Sequence, residues 1–278
     1  MNDELRAALR ANAFRSGESE LQLVSLHAVR KLAQESGVTP LQVETEALKS
    51  QIVPLRYQRN IGTIGIEGQL RLLRSCVGVC GLGGLGGYVV ELLARYGIGR
   101  LILADGEWFE ESNLNRQSFC TEADLGRPKT EAAAERVRCI NSSLMVSTHH
   151  GRLEKEDVGE VFGEADLVVD ALDTVSSRLA LEEGCMELGK PLVHGAIAGN
   201  AGQVMTILPG DPGLKSIYAD GEDRGIETVE GNPPTTASLV ASIQVQEAIK
   251  IICGGELLRK GFLLVDMASN LYQFIPLQ

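Results

Sequence analysis

The stretch Ser75 to Gln117, SCVGVCGLGGLGGYVVELLARYGIGRLILADGEWFEESNLNRQ, decides the fold. Cys76 to Cys80 is a short apolar run that ends in a glycine turn. Tyr88 to Tyr96 carries apolar residues at helical spacing, and Arg100 to Ala104 is a second apolar run that stops at Asp105. Strand, glycine-rich turn, helix, strand and acid, in that order, open a doubly wound nucleotide-binding sheet. Gly81, Gly83 and Gly86 fit G-x-G-x-x-G, where missing side chains let the backbone approach a phosphate at a helix N-terminus. Asp105, at the second strand's end, is placed to accept hydrogen bonds from a ribose.

This fingerprint serves dinucleotide and ATP users alike, and a glycine turn can also exist only for tight strand-helix packing. The residues after Asp105 separate the two nucleotides. Asn113, Arg116 and Gln117 share the loop S-N-L-N-R-Q, Lys129 follows in G-R-P-K-T, and Asp173 lies in D-A-L-D-T-V-S-S-R. A dehydrogenase has no need of so many phosphate-seeking groups beyond its glycine turn. An enzyme that stabilises a triphosphate under attack does need them.

The blocks R-Y-Q-R-N, G-L-G-G-L-G, N-L-N-R-Q, R-P-K, D-T-V-S-S-R and S-I-Q-V-Q-E-A-I-K occur in this order between Arg56 and Pro276. In them the chain resembles the MoeB/ThiF/HesA family, bacterial relatives of ubiquitin-activating enzymes. The resemblance implies that ATP adenylates the C-terminal glycine of a small ubiquitin-like sulfur carrier ending in Gly-Gly, with pyrophosphate leaving. It implies that Gly81, Gly83, Gly84 and Gly86 give backbone access to the nucleotide and that Asp105 holds ribose hydroxyls. Asn113 and Arg116 would contact phosphate oxygens, Lys129 would face the α-phosphate, and Asp173 would hold Mg²⁺. Arg59 would come from the other protomer of a two-fold homodimer.

Each of these residues also has a plainer reading. Asp105 could cap the turn that follows it, Asp173 could be a helix N-cap, and Lys129 could be an exposed first-turn lysine. The chain also departs from its relatives at Thr174, which stands where asparagine is common, and at Asn60, which replaces a glutamine beside Arg59. Two further readings stay open: an NAD-dependent oxidoreductase, and a non-catalytic module that binds a partner's tail.

Length and composition fit one large α/β domain with an appendage. The chain has 278 residues, 44% of them hydrophobic and 23% charged. The expected fold is a doubly wound, mostly parallel, Rossmann-like sheet with added C-terminal strands. Residues 1–55 are read as a helical N-terminal extension and residues 56–278 as the ATP-binding adenylation domain. The formal net charge of −11 argues against nucleic acid as a partner. No apolar run reaches the length of a membrane span and MNDELRAALR lacks a signal-peptide core, so the expected location is cytoplasmic.

Within the extension, Glu18 to Gln34 has a helix-like composition, and Thr39-Pro40-Leu41-Gln42 reads as N-cap, first-turn proline and capping-box glutamine. The stretch L-A-Q-E-S-G-V-T-P-L-Q-V resembles a helix-turn-helix turn, but the acids of V-E-T-E-A-L face phosphates wrongly for DNA. Gly62, Gly65 and Gly68 are expected to make turns before a helix over Gln69 to Leu73. Asp166 to Ala171 is a buried strand whose end delivers Asp170 and Asp173. Pro209 to Pro234 has no sustained period, and His194 is read as a structural rather than a functional histidine.

The cysteines carry the last expectation. The sequence contains no C-x-x-C pair, so no zinc is expected. None lies between Cys185 and Cys253, the region where thioester-forming relatives place one. The chain is therefore expected to stop at the adenylate and leave sulfur transfer to a separate donor. Cys120 and Cys185 are the only cysteines placed to depart from this.

Overall fold

The computed structural model describes residues 2–15, 20–218 and 230–277. The chain begins with α1 (Asn2–Ala11), β1 (Gln22–Val24), α2 (Leu26–Ser36), α3 (Pro40–Lys49) and β2 (Ile52–Pro54). Local signals fix these helix ends. Ser25 accepts a hydrogen bond from the Ala28 N–H to start α2, and Gly37 ends it in the left-handed region at φ 64°. Thr39 and Gln42 form the expected capping box ahead of α3. The helix-like stretch Glu18 to Gln34 does not fold as one element. Residues 16–19 lie outside the described residues, Gln22–Val24 pairs in parallel with Ile52–Pro54, and α2 starts only at Leu26. Strand pairing through Leu23 and Val53, both fully buried, overrides the local helix preference.

The larger part contains α4 (Ile61–Arg74), β3 (Cys76–Cys80), α5 (Gly84–Tyr96), β4 (Arg100–Asp105), α6 (Lys129–Ile140) and β5 (Met145–His150). It continues with α7 (Val158–Phe162), β6 (Leu167–Asp170), α8 (Val175–Glu187), β7 (Leu192–Ala198) and β8 (Ala201–Ile207). After them come α9 (Pro234–Cys253), β9 (Gly261–Asp266) and β10 (Leu271–Pro276). The glycines ahead of Gln69 do not break the chain into turns. Helix α4 runs through them with a single kink at Gly65, whose φ of 69° is non-helical.

The strands form an eight-stranded sheet in the order β10-β9-β8-β7-β6-β3-β4-β5. Strands β7, β6, β3, β4 and β5 are parallel, and β8, β9 and β10 extend the sheet antiparallel. One apolar cluster packs α5, α6 and α9 on one face through residues such as Val89, Val137 and Val245. A second packs α7 and α8 on the other face through Phe162, Leu181 and Cys185. The result is a three-layer α/β/α body. From β3 the chain builds β4 and β5 to one side, then crosses over to place β6 on the other side of β3. The loops after β3 and β6 therefore diverge, and the crevice between them is where open α/β sheets bind ligands.

Candidate active site

That crevice is a cleft of about 830 Å³. Gly81, Gly83, Gly84, Asp105, Asn113, Arg116, Lys129 and Asp173 all line it, so most of the residues picked out in the sequence converge. The glycines divide by task. Gly81 has φ 89°, and a Cβ there would sit 2.6 Å from the Ala171 carbonyl oxygen; a Cβ at Gly86 would run into the Gly81 carbonyl. These two let the β3 turn, the β6 loop and α5 close on one another, and Gly86 does not reach the cleft wall. Gly83 and Gly84 instead present backbone to the cleft at the start of α5, and only Gln117 and Arg116 side chains approach them.

Asp105 is used twice by the backbone: Oδ2 accepts from the Leu82 N–H at 2.7 Å and Oδ1 from the Glu107 N–H at 2.7 Å. Burial pushes its carboxyl above the usual range, against the pull of Lys129 and of these two N–H groups. It therefore does cap the following turn, while each oxygen keeps a lone pair for a further donor. Lys129 is not an exposed first-turn lysine. Only 2% of it is accessible, and its Nζ meets Glu107 Oε2 at 2.6 Å inside the cleft wall.

Asn113 is buried, and its Oδ1 accepts from the Glu110 N–H at 3.1 Å, closing the loop that carries Arg116. The Arg116 guanidinium donates to the Ser112 carbonyl at 2.9 Å and to Asn115 Oδ1 at 3.0 Å, which aims it along the Gly84 backbone. Gln117, buried beside Gly83, keeps an Oε1 without a hydrogen-bond partner among the described residues. The N-cap reading fails for Asp173, because Thr174 takes that position and accepts from the Ser177 N–H. Asp173 is exposed to the cleft, and no partner for its carboxylate is found among the described residues.

Two sequence expectations change here. Asp170 is not delivered to the cleft with Asp173: it is fully buried, opposite His194 in the β6–β7 ladder, and bonded to it at 2.7 Å. Cys120 and Cys185, the two cysteines singled out as possible acyl acceptors, are both buried. Burial pushes the Cys120 thiol up and Cys185 up to about 12, so neither offers a thiolate. Cys80 borders the cleft floor, and its burial raises the thiol strongly.

Arg59 lies before α4, exposed, and does not line this cleft. Sequence reasoning missed Glu107, Trp108, Arg152, Arg178 and Asn232, which line it as well. Glu107 and Trp108 lie two and three residues after Asp105, and that nearness was the available signal. Arg178, Arg152 and Asn232 arrive through tertiary packing. Among the described residues no group of three or more His, Cys, Asp or Glu side chains could hold a metal ion. No described helix is long and apolar enough to cross a membrane.

The chain is 37% identical over 227 residues to the SAMP-activating enzyme E1 of Haloferax volcanii, covering 80% of this chain and 84% of that one. It is 31% identical over 230 residues to the sulfur carrier protein ThiS adenylyltransferase of Escherichia coli, covering 81% and 91%. A 31% match to the adenylyltransferase and sulfurtransferase MOCS3 of Anopheles gambiae takes 95% of this chain but 60% of that protein. Crystal structures of E. coli MccB, one of them with ATP, share the fold: that one has a TM-score of 0.70 at 22% identity over 80% of this chain and 70% of the other. The ThiF family model matches residues 57–278. The chain belongs to the ThiF family.

Proposed function

We propose that this chain uses ATP to adenylate the C-terminal glycine of a small ubiquitin-like sulfur carrier. The observation that carries the reading is the meeting, in one cleft, of the Gly83–Gly84 backbone, the cations Arg116 and Lys129, and the Asp173 carboxylate, which has no partner among the described residues. In the reaction a carboxylate oxygen of the carrier forms a bond to the α-phosphorus, and the bond from that phosphorus to the bridging oxygen breaks. Pyrophosphate leaves with the electron pair. The nucleophile arrives ionised, so the protein needs no general base; its work is positioning and charge compensation.

Each residue has a part in that work. The Gly83–Gly84 turn and the first turn of α5 supply N–H groups to phosphate oxygens. Asp105 accepts from the ribose. Asn113 and Arg116 hold phosphate oxygens, and Lys129 balances the charge that builds on the α-phosphate. Asp173 would hold Mg²⁺, an ion that commonly takes only one or two protein carboxylates. When bound, that ion neutralises phosphate charge.

Arg59, outside the protomer's own cleft, is read as reaching the partner's ATP across a two-fold homodimer. Residues 1–55 are read as an extension on the adenylation domain 56–278. The reaction stops at the acyl-adenylate, which a separate sulfur donor then consumes. Relatives named for ThiS and for SAMP activation support a ubiquitin-like partner.

Exchange of labelled pyrophosphate into ATP, with and without a carrier ending in Gly-Gly, tests the reading. Carrier-dependent exchange is expected, and its absence with every such carrier from the same genome would overturn it. The dimer has its own test. Arg59→Ala and Arg116→Ala should each be inactive, and a subunit-exchanged mixture should regain activity, because one site in a mixed dimer keeps both arginines.

A further inference from the structure

Beneath the cleft wall lies a chain of polar groups that the adenylation reading does not use. Asp170 and His194 are both fully buried and bonded at 2.7 Å through Oδ2 and Nδ1. His194 Nε2 lies 3.0 Å from the Tyr218 hydroxyl and 3.3 Å from Gln203 Nε2. The same hydroxyl receives Gln203 Nε2 at 2.8 Å and Arg178 Nη1 at 3.1 Å. Arg178 then spends its other nitrogens on one atom: Nε and Nη2 donate to the Leu172 carbonyl at 3.1 and 2.9 Å.

Donor counting leaves one arrangement. A phenol oxygen has two acceptor sites and one proton. Gln203 and Arg178 fill the acceptor sites, so the Tyr218 proton goes to His194 Nε2. That nitrogen must be bare, and the imidazole proton sits on Nδ1 and is donated to Asp170. Burial favours the neutral ring, lowering its affinity for a second proton. Asp170 Oδ1 accepts from the Leu172 N–H at 2.9 Å, so the chain starts and ends on the same residue. Both the N–H and the carbonyl of Leu172 are held, and Leu172 directly precedes Asp173.

We propose that Tyr218 is a positioning residue: its hydroxyl, oriented by His194 and Asp170, fixes the Arg178 guanidinium on the Leu172 carbonyl and so sets the turn that presents Asp173. This rests on the role given to Asp173 above. Tyr218 and His194 do not line the cleft, so they act only through Arg178 and the Leu172 backbone. The phenyl ring packs edge-on against the imidazole at 5.8 Å, so removing the hydroxyl alone leaves most of the packing in place.

The test measures carrier-dependent pyrophosphate exchange in full-length wild type, Tyr218→Phe, Arg178→Ala and the double variant. Active protein is normalised by active-site titration. Fluorescence of Trp108, the single tryptophan of the chain and a lining residue of the cleft, follows ATP binding separately. Tyr218→Phe should lower kcat about tenfold, the size of effect a small misplacement of a positioned group produces, with KM for ATP and its fluorescence affinity changed less than about twofold. Adding Tyr218→Phe to Arg178→Ala should cause no further loss. A kcat for Tyr218→Phe within about twofold of wild type would overturn the inference, as would a loss explained wholly by a smaller active fraction, or an equal loss in the Arg178→Ala background. Wild type without exchange would instead sink the adenylation reading, so the two failures are distinct.

Discussion

Two aspartates end the same strand region and lead opposite lives. Asp170 closes β6 with no accessible surface, and its oxygens are taken by His194 and by the Leu172 N–H. Asp173, just beyond, faces the cleft with no partner among the described residues. A carboxylate that the protein satisfies internally holds shape. One left unsatisfied in the cleft that Lys129 and Arg116 also line is available to a ligand. The same division separates Gly81 and Gly86, which close packing requires, from Gly83 and Gly84, which leave backbone open.

The sharpest way to break this comparison is to truncate both acids. Asp173→Ala should lower carrier-dependent exchange by about 10³-fold or more while the urea midpoint stays near wild type, because that exposed side chain has no partner among the described residues. Near-normal turnover would show that the open carboxylate is idle. Asp170→Ala should do its damage in the fold, at a cost of about 3 kcal/mol in urea denaturation, since it strands a buried imidazole N–H and a backbone N–H together. An unchanged midpoint would show that the inner network contributes little.

Much of this division was legible in sequence, and its limits have physical causes. The glycine turn, the acid that ends β4 and the start of α6 at Lys129 follow from local pattern: apolar runs, missing side chains, and a proline ahead of the helix. Asp173 was found because D-T-V-S-S-R follows an apolar strand and is one of the blocks that carry the family resemblance. Asp170 was misplaced because its burial is set by strand register, which pairs it with His194 across the β6–β7 ladder. No local pattern in D-L-V-V-D-A encodes that partner. Arg178 and Tyr218 escaped for the same reason, meeting only after α8 and the residues following β8 have packed. The β1–β2 pair was lost because short strands carry less periodic signal than the helix-like composition around them.

A smaller effect should appear in the pH dependence of stability. His194 is held neutral by burial, so its folded affinity for a proton lies below that of the unfolded ring, which titrates near 6.5. The unfolded state then binds the proton first as pH falls. The stability this ring contributes is complete above that value and is lost as pH drops below it. Asp105, Glu44 and Glu182, raised by burial, push the other way: what they contribute is present at low pH and is lost as pH rises through the carboxylate range. The difference between wild type and His194→Gln in urea midpoint, followed from pH 8 to pH 5.5, isolates the imidazole. It should narrow as pH falls. A constant difference would mean that His194 is not the titrating group.

The smallest expected effect is none, and it concerns sulfur. An acyl acceptor must present a thiolate within reach of the adenylate. Cys185 is fully buried in α8 with its thiol pushed up to about 12, and Cys120 is buried with its Sγ turned to the Glu110 carbonyl at 3.9 Å. Cys80 borders the cleft but ends β3 in the core, where burial holds it as a neutral thiol. All three belong with Asp170 on the satisfied side of the comparison. Alanine at Cys120 and Cys185 together should therefore leave pyrophosphate exchange within about twofold of wild type, since neither touches the reacting atoms. No dithiothreitol-sensitive conjugate of enzyme and carrier should appear on a non-reducing gel. A conjugate that forms with wild type and disappears with alanine at Cys80, Cys120 or Cys185 would move that cysteine across the divide, and the reaction would no longer end at the adenylate.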